Sequence, residues 1–242
     1  RATIYARSII HQWFDSWHLS PSPSVPTTTA EEWRVAPGLR DTVSHIHALI
    51  RAEAAALGVG GTQGIVLGGL SQGCAASLVA LILWEGEALA GFLGMCGWLV
   101  FEGGVKAILD GGGEDGEGEG EGEGFDPFER EDGESEEEVE EVVGVEAKVV
   151  RALREALELD GEGPVSRPRA FDTPVFMGHG VEDDKVPISR GREAAACLRA
   201  AGVDAEWREY QGLGHWYSAE MLTDMASFLT HRTGWERDNK PS

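Results

Sequence analysis

Three groups of residues have the types and the chain order that nucleophilic acyl chemistry needs. The first is Gly69-Leu70-Ser71-Gln72-Gly73, a G-x-S-x-G pentapeptide. A serine on a tight strand-to-helix turn takes a strained backbone, and glycines two residues to either side let neighbouring chain pass close. The hydroxyl then projects at a helix N-terminus, where peptide dipoles favour developing negative charge. The pattern is short and glycine is abundant in this chain, so the setting carries the argument. The apolar run at residues 64–68 precedes the motif, and helix-like sequence at 75–84 follows it. The backbone N–H of Gln72 is then the expected oxyanion donor.

A serine hydroxyl needs a base, and imidazole titrates near working pH. Of seven histidines, His215 is best placed, in the loop Gly212-Leu213-Gly214-His215-Trp216. His11, His18, His45, His47 and His231 fall on amphipathic or terminal segments, where surface or half-buried positions are expected. His179 directly follows an apolar run and reads as a turn-former. The imidazolium formed in such a reaction needs an oriented carboxylate. The segment His179-Gly180-Val181-Glu182-Asp183-Asp184-Lys185-Val186-Pro187 offers Glu182, Asp183 and Asp184, and composition does not choose among them. The order serine, acid, histidine is the one used by strand–turn–helix hydrolases.

Elements that must position these groups follow from periodicity. Leu39, Val43, Ile46 and Ile50 recur at helical spacing over residues 38–57. Short apolar runs at 65–67, 91–96 and 174–177 read as buried strands, and residues 204–210 as an alternating fourth. Helices are expected at 75–84, around Val149, Leu153 and Leu157, at 189–201 and at 221–230. Residues 2–14 mix β-branched and aromatic side chains, and a Pro/Ser/Thr loop, SPSPSVPTTT, follows. Strands alternating with helices predict an α/β fold, a mostly parallel sheet with helices on both faces. Reactive groups in such sheets collect at the carboxyl ends of the strands.

The chain has 242 residues and a formal net charge of −22, a length that suits a single domain. Residues 110–141 carry seventeen acids against one base, Arg130, and account for −16 of that charge. This Gly/Glu-rich stretch lacks periodic apolar residues and repels itself, so it reads as a disordered insertion in a surface loop. An acidic docking or cation-binding role is the less favoured reading. A balance of −6 elsewhere, without clustered Lys and Arg, argues against a nucleic-acid partner. Uncharged stretches at 57–84 and 88–101 are interrupted by polar residues or too short, and read as core rather than membrane. Three cysteines without metal-ligand spacing suggest a reducing compartment, the cytoplasm. At most, transient contact with a membrane surface is expected. Trp13, Trp98 and Trp216 are assigned to aromatic core packing in preference to an acyl channel.

Several segments, IVLGGLSQGCAASL, FMGHGVEDDKVP, YQGLGHW and Trp13-Phe14-Asp15, resemble the acyl-protein thioesterases of the phospholipase/carboxylesterase branch of α/β hydrolases, fungal members above all. In that family the acid stands four residues after the histidine of H-G-x-x-D-x-x-V-P, which implies Asp183, with Asp184 next in line. The resemblance implies a Ser71–His215–Asp183 triad and an α/β-hydrolase fold. It further implies S-acylated proteins, or small acyl esters, as substrates, with no metal or organic cofactor. It also implies a His-Gly-x-Gly loop, on strands ahead of the nucleophile strand, that supplies the second oxyanion N–H. No such loop stands in this sequence. The chain is therefore expected to be N-terminally incomplete, to leave the nucleophile strand at an apolar sheet edge, and to lose roughly two to three orders of magnitude in kcat. Rival readings are a general carboxylesterase or lysophospholipase, a catalytically silent homologue acting as a binding protein, and, least favoured, a serine peptidase. Thioester against oxyester turnover separates the first, absence of an acyl-enzyme would favour the second, and amide substrates decide the third.

Overall fold

The computed structural model describes residues 11–15, 29–111, 143–161 and 163–232, with the side chains of α1 described from residue 35 onward. The strand-like start at 2–10, most of the Pro/Ser/Thr loop, His18 and nearly all of the acidic insertion lie outside the described residues.

Among the described residues four strands, β1 (Val66–Leu70), β2 (Gly91–Met95), β3 (Val175–Gly180) and β4 (Ala205–Tyr210), form one sheet in the order β1-β2-β3-β4. Every neighbouring pair is parallel. Parallel neighbours require crossovers, and the helices supply them. The crossovers run through α2 (Gln72–Ile82), α3 (Glu102–Leu109) with α4 (Val145–Ala156), and α5 (Ile188–Ala200), while α1 (Thr29–Leu57) precedes β1 and α6 (Ala219–Arg232) follows β4. Helices α2 and α5 follow β1 and β3 as predicted. The predicted α/β architecture is present, with all four carboxyl ends on one side of the sheet.

Alternation along the strands divides the core between two faces. Phe92, Val175 and Met177 join the larger cluster with Leu39, Val43, Ile46 and Ile50 of α1 and the apolar residues of α2. Phe176 points the other way, with Leu93 and Met95, onto Met221, Met225 and Phe228 of α6. Burial on both faces explains why β2 and β3 read as continuous apolar runs. Residues 74–82 of α2 are buried all round, the signature of a helix enclosed between a sheet and a second helix. Full burial of a side chain such as Leu78 or Phe176 contributes roughly 1.5–3 kcal/mol.

Three boundaries differ from the sequence expectations. Helix α1 starts at Thr29, ahead of the expected residue 38, and runs through Pro37. Helix α3 was not expected; it is held by packing on α4 and α5. Strand β1 continues through Gly68, Gly69 and Leu70 to the serine itself. Among the described residues β1 pairs only with β2, and Val66, Leu67 and Leu70 are half-buried.

Candidate active site

Each predicted site residue sits at or just beyond a strand's carboxyl end. Ser71 joins β1 to α2 with φ +56° and ψ −124°, a conformation that side-chain-bearing residues rarely adopt. Its N–H donates to Met95 O at 2.8 Å and its carbonyl accepts from the Ala75 N–H at 3.1 Å. The turn is thus tied to β2 on one side and α2 on the other. Glycine is required at 69: a Cβ there would lie 2.4 Å from Gly73 C and 2.5 Å from Cys74 N. Gln72 takes the first position of α2, so its backbone N–H belongs to the helix N-terminus beside Ser71.

Ser71 Oγ lies 2.9 Å from His215 Nε2, and His215 Nδ1 lies 2.8 Å from Asp183 Oδ2. A carboxylate can only accept, so the imidazole proton sits on Nδ1 and Nε2 is left to accept from the serine hydroxyl. The Asp183 side chain is fully enclosed, while His215 keeps 20% of its side chain exposed. Burial alone would raise the Asp183 carboxyl. The Val186 amide, the His215 imidazole and the Lys185 amide outweigh it and hold the carboxyl below its ordinary value. Both amides donate to Oδ1 at 2.9 Å.

The loops carrying Asp183 and His215 are stitched together. Val181 N–H donates to Tyr210 O at 2.9 Å, and Glu182 N–H to Leu213 O at 3.0 Å. A Cβ on Gly180 would lie 2.2 Å from Leu213 O, so the close approach depends on glycine. Of the three candidate acids, only Asp183 faces His215. Asp184 is turned outward on Lys185 Nζ at 3.1 Å, and Glu182 is exposed.

Two expectations need correction. His179 is not a turn-former. Strand β3 runs on to Gly180, and His179 is a fully buried strand residue whose Nε2 lies 2.9 Å from Val186 O and 3.1 Å from Asp183 Oδ2. Trp13 and Trp216 are not core residues: they are 50% and 55% exposed. Both lie on loops at the site. The Trp13 indole stands over Gly73, and Trp216 stacks on Tyr217 with ring centroids 5.0 Å apart. Trp98 packs against the core, edge-on to Phe14. His45, His11 and His231 are exposed and His47 is half-buried, as their segments suggested.

Sequence reasoning also passed over two groups. The Gln72 side chain accepts from the Trp13 N–H at 2.9 Å and donates to Phe14 O at 2.8 Å, clasping the 11–15 segment to the elbow. No periodic signal marks a contact across 58 residues. Cys96, just beyond β2, has φ +47° and its Sγ lies 3.4 Å from Trp216 O. Burial pushes its thiol up to about 11, with Asp183 nearby adding to the effect. It therefore stays protonated and is a donor rather than a nucleophile. Cys96, His179 and Asp183 offer ligand atoms within 4.8 Å of one another, a set that by type suits zinc. Those atoms are already committed to Trp216 O, Val186 O and His215.

A protein-family model described as phospholipase/carboxylesterase matches residues 3–109 and 162–233. Acyl-protein thioesterase 1 of Gibberella zeae is 44% identical over 57 residues, 24% of this chain and 24% of that protein. A probable carboxylesterase of Oryza sativa subsp. japonica is 23% identical over 234 residues, 96% of this chain and 63% of that protein. The matches therefore span about a quarter of the first relative and less than two thirds of the second. The crystal structure of Arabidopsis thaliana SOBER1 superposes with a TM-score of 0.58 at 21% identity, covering 95% of this chain and 77% of that one, a likeness of fold.

Proposed function

The chain belongs to the phospholipase/carboxylesterase family, and from that premise we propose that it is a serine hydrolase that cleaves acyl thioesters and esters through Ser71, His215 and Asp183. The observation that carries this reading is the continuous relay of 2.9 Å and 2.8 Å contacts from Ser71 Oγ through the imidazole to Asp183. His215 Nε2 takes the serine proton as Oγ attacks the acyl carbonyl. Charge on the carbonyl oxygen is met by the Gln72 backbone N–H. As the tetrahedral intermediate collapses, the leaving sulfur or oxygen takes the proton from His215 Nε2 and departs as thiol or alcohol, which frees Nε2. Water, deprotonated by the same nitrogen, then releases the acid from the acyl-serine. Asp183 stays ionised throughout and stabilises the imidazolium. No step calls on a metal or an organic cofactor.

S-acylated proteins are the proposed substrates, with small acyl esters as surrogates. The name of the Gibberella relative and the half-exposed aromatic rim of Trp13, Trp216 and Tyr217 support an acyl chain at this cleft. A general carboxylesterase is the second reading, favoured by the rice relative that aligns over 96% of this chain. Palmitoyl-thioester and short p-nitrophenyl ester turnover, measured side by side, separates them. A higher kcat/KM on the long thioester supports the first reading, and preference for short oxyesters supports the second.

We further propose a single domain interrupted by the acidic insertion at about residues 110–141. Cytoplasmic residence fits the three free, buried cysteines. Among the described residues no helix is long and apolar enough to cross a membrane.

A further inference from the structure

Asp183 has a second imidazole beside it, and the reaction scheme above makes no use of it. We propose that His179 is a positioning residue that clamps the Asp183–Val186 turn through Val186 O and lays its N–H edge against Asp183 Oδ2. The proposal rests on the triad reading and concerns how its acid is held.

The atoms around His179 assign its tautomer. Nε2 lies 2.9 Å from Val186 O and 3.1 Å from Asp183 Oδ2. Carbonyl and carboxylate oxygens only accept, so Nε2 carries the proton. The contact to Val186 is the shorter, and the Oδ2 contact flanks it. Nδ1 is buried without a hydrogen-bond partner. It faces Gly191 of α5, where a Cβ would lie 2.5 Å away, and the Trp207 ring packs 5.9 Å from the imidazole. A proton on Nδ1 would place an unpaired charge in a dry pocket.

The charged and titratable groups facing the ring are few. Asp183 and His215 come from the loops, Cys96 from the end of β2, and Glu209 from β4, where it is the register partner of His179. Glu209 is already held by Nε and Nη2 of the Arg192 guanidinium and by the Trp207 indole. Burial, the largest influence, keeps His179 below the ordinary imidazole value. The two histidines therefore divide the work: His215 exchanges its proton, and His179 keeps its own. Val186 is central to the clamp because its N–H holds Asp183 Oδ1 while its carbonyl is held by His179.

The test is a series of His179 variants in the full chain, with steady-state kinetics and the low-field proton NMR resonance of the His215 Nδ1–H. His179→Leu should lower kcat by about 10- to 100-fold through misplacement of Asp183, with KM within about twofold. The low-field resonance should broaden or disappear. His179→Gln, whose amide reaches where Nε2 stands, should restore both to near wild type, and the shorter His179→Asn should not. Should His179→Leu fail to fold, the Gln and Asn variants alone carry the comparison. A folded His179→Leu with unchanged kcat and resonance would overturn the proposal, as would equal activity of the Gln and Asn variants. Wild-type protein with neither the resonance nor Ser71-dependent turnover would instead defeat the triad reading itself.

Discussion

Ser71, His215 and Asp183 bring together a hydroxyl, an imidazole and an enclosed carboxylate whose separations leave no room for water between them. Ser71→Ala should abolish ester turnover while leaving the thermal midpoint within a degree or two, since only one oxygen is removed at a half-buried position; residual turnover above about 1% of wild type would contradict a serine mechanism. Asp183→Asn should lower kcat by about 10⁴, because the amide can impose the wrong imidazole tautomer. The same residue sets a pH effect on stability. Its folded-state pKa is depressed, so its contribution is present above the unfolded value near 3.8 and is lost as pH falls through the lower folded one. Acid unfolding followed by circular dichroism should therefore be less steep below about pH 4 in Asp183→Asn than in wild type. The proposed nucleophile and base could be picked out in the sequence because each stands in a glycine-bounded turn after an apolar run. Composition left three acids open and the family resemblance pointed to Asp183; in the structure Asp183 is enclosed against His215 while Glu182 and Asp184 face solvent. His179 was misread because the apolar run stops at Met177, whereas the strand continues through Gly178 and Gly180 where bulkier neighbours close in.

At the scale of elements, the β1–α2 elbow carries Ser71 and the loop after β3 carries Asp183, and both strands were visible as short apolar runs flanked by glycine. Helix α3 was invisible because its stability comes from α4 and α5, not from its own Gly103-Gly104 start. That packing carries a cost. Burial pushes the Glu102 carboxyl up to about 7, with Glu193 on α5 adding to the rise and Arg190 opposing it. A carboxyl raised in the folded state holds a proton that the unfolded chain has released. Stability from this group is thus full below about pH 4.5 and is lost as pH rises through 7. Glu102→Gln should therefore gain about 1–3 kcal/mol at pH 8 and almost nothing at pH 5, measured by urea unfolding at both pH values. An equal gain at both would show that packing, not the proton, is responsible. Gly180→Ala tests the other end of the site. With Leu213 O only 2.2 Å from the added carbon, the acid and base loops must separate, and kcat should fall by about 10²-fold with KM little changed.

Over the whole molecule, the net charge of −22 is dominated by the −16 at residues 110–141, between α3 and α4. The residues proposed for catalysis come from the ends of β1, β3 and β4 and none comes from that connection. Removing residues 112–141 should leave kcat/KM on a small ester within about twofold, since long surface insertions cost little loop entropy. The layered α/β architecture was the most legible feature, because its strand and helix periods alternate cleanly from β1 to α6. The long-range clasp between Gln72 and residues 13–14 was the least, since only folding brings those atoms together. The most direct test of the account is labelling of the chain by a fluorophosphonate probe, with Ser71→Ala and His215→Ala alongside. Stoichiometric labelling of the wild type, lost in Ser71→Ala and strongly slowed in His215→Ala, is the predicted result. A folded wild-type chain that takes up no label, or a Ser71→Ala variant that still does, would contradict it.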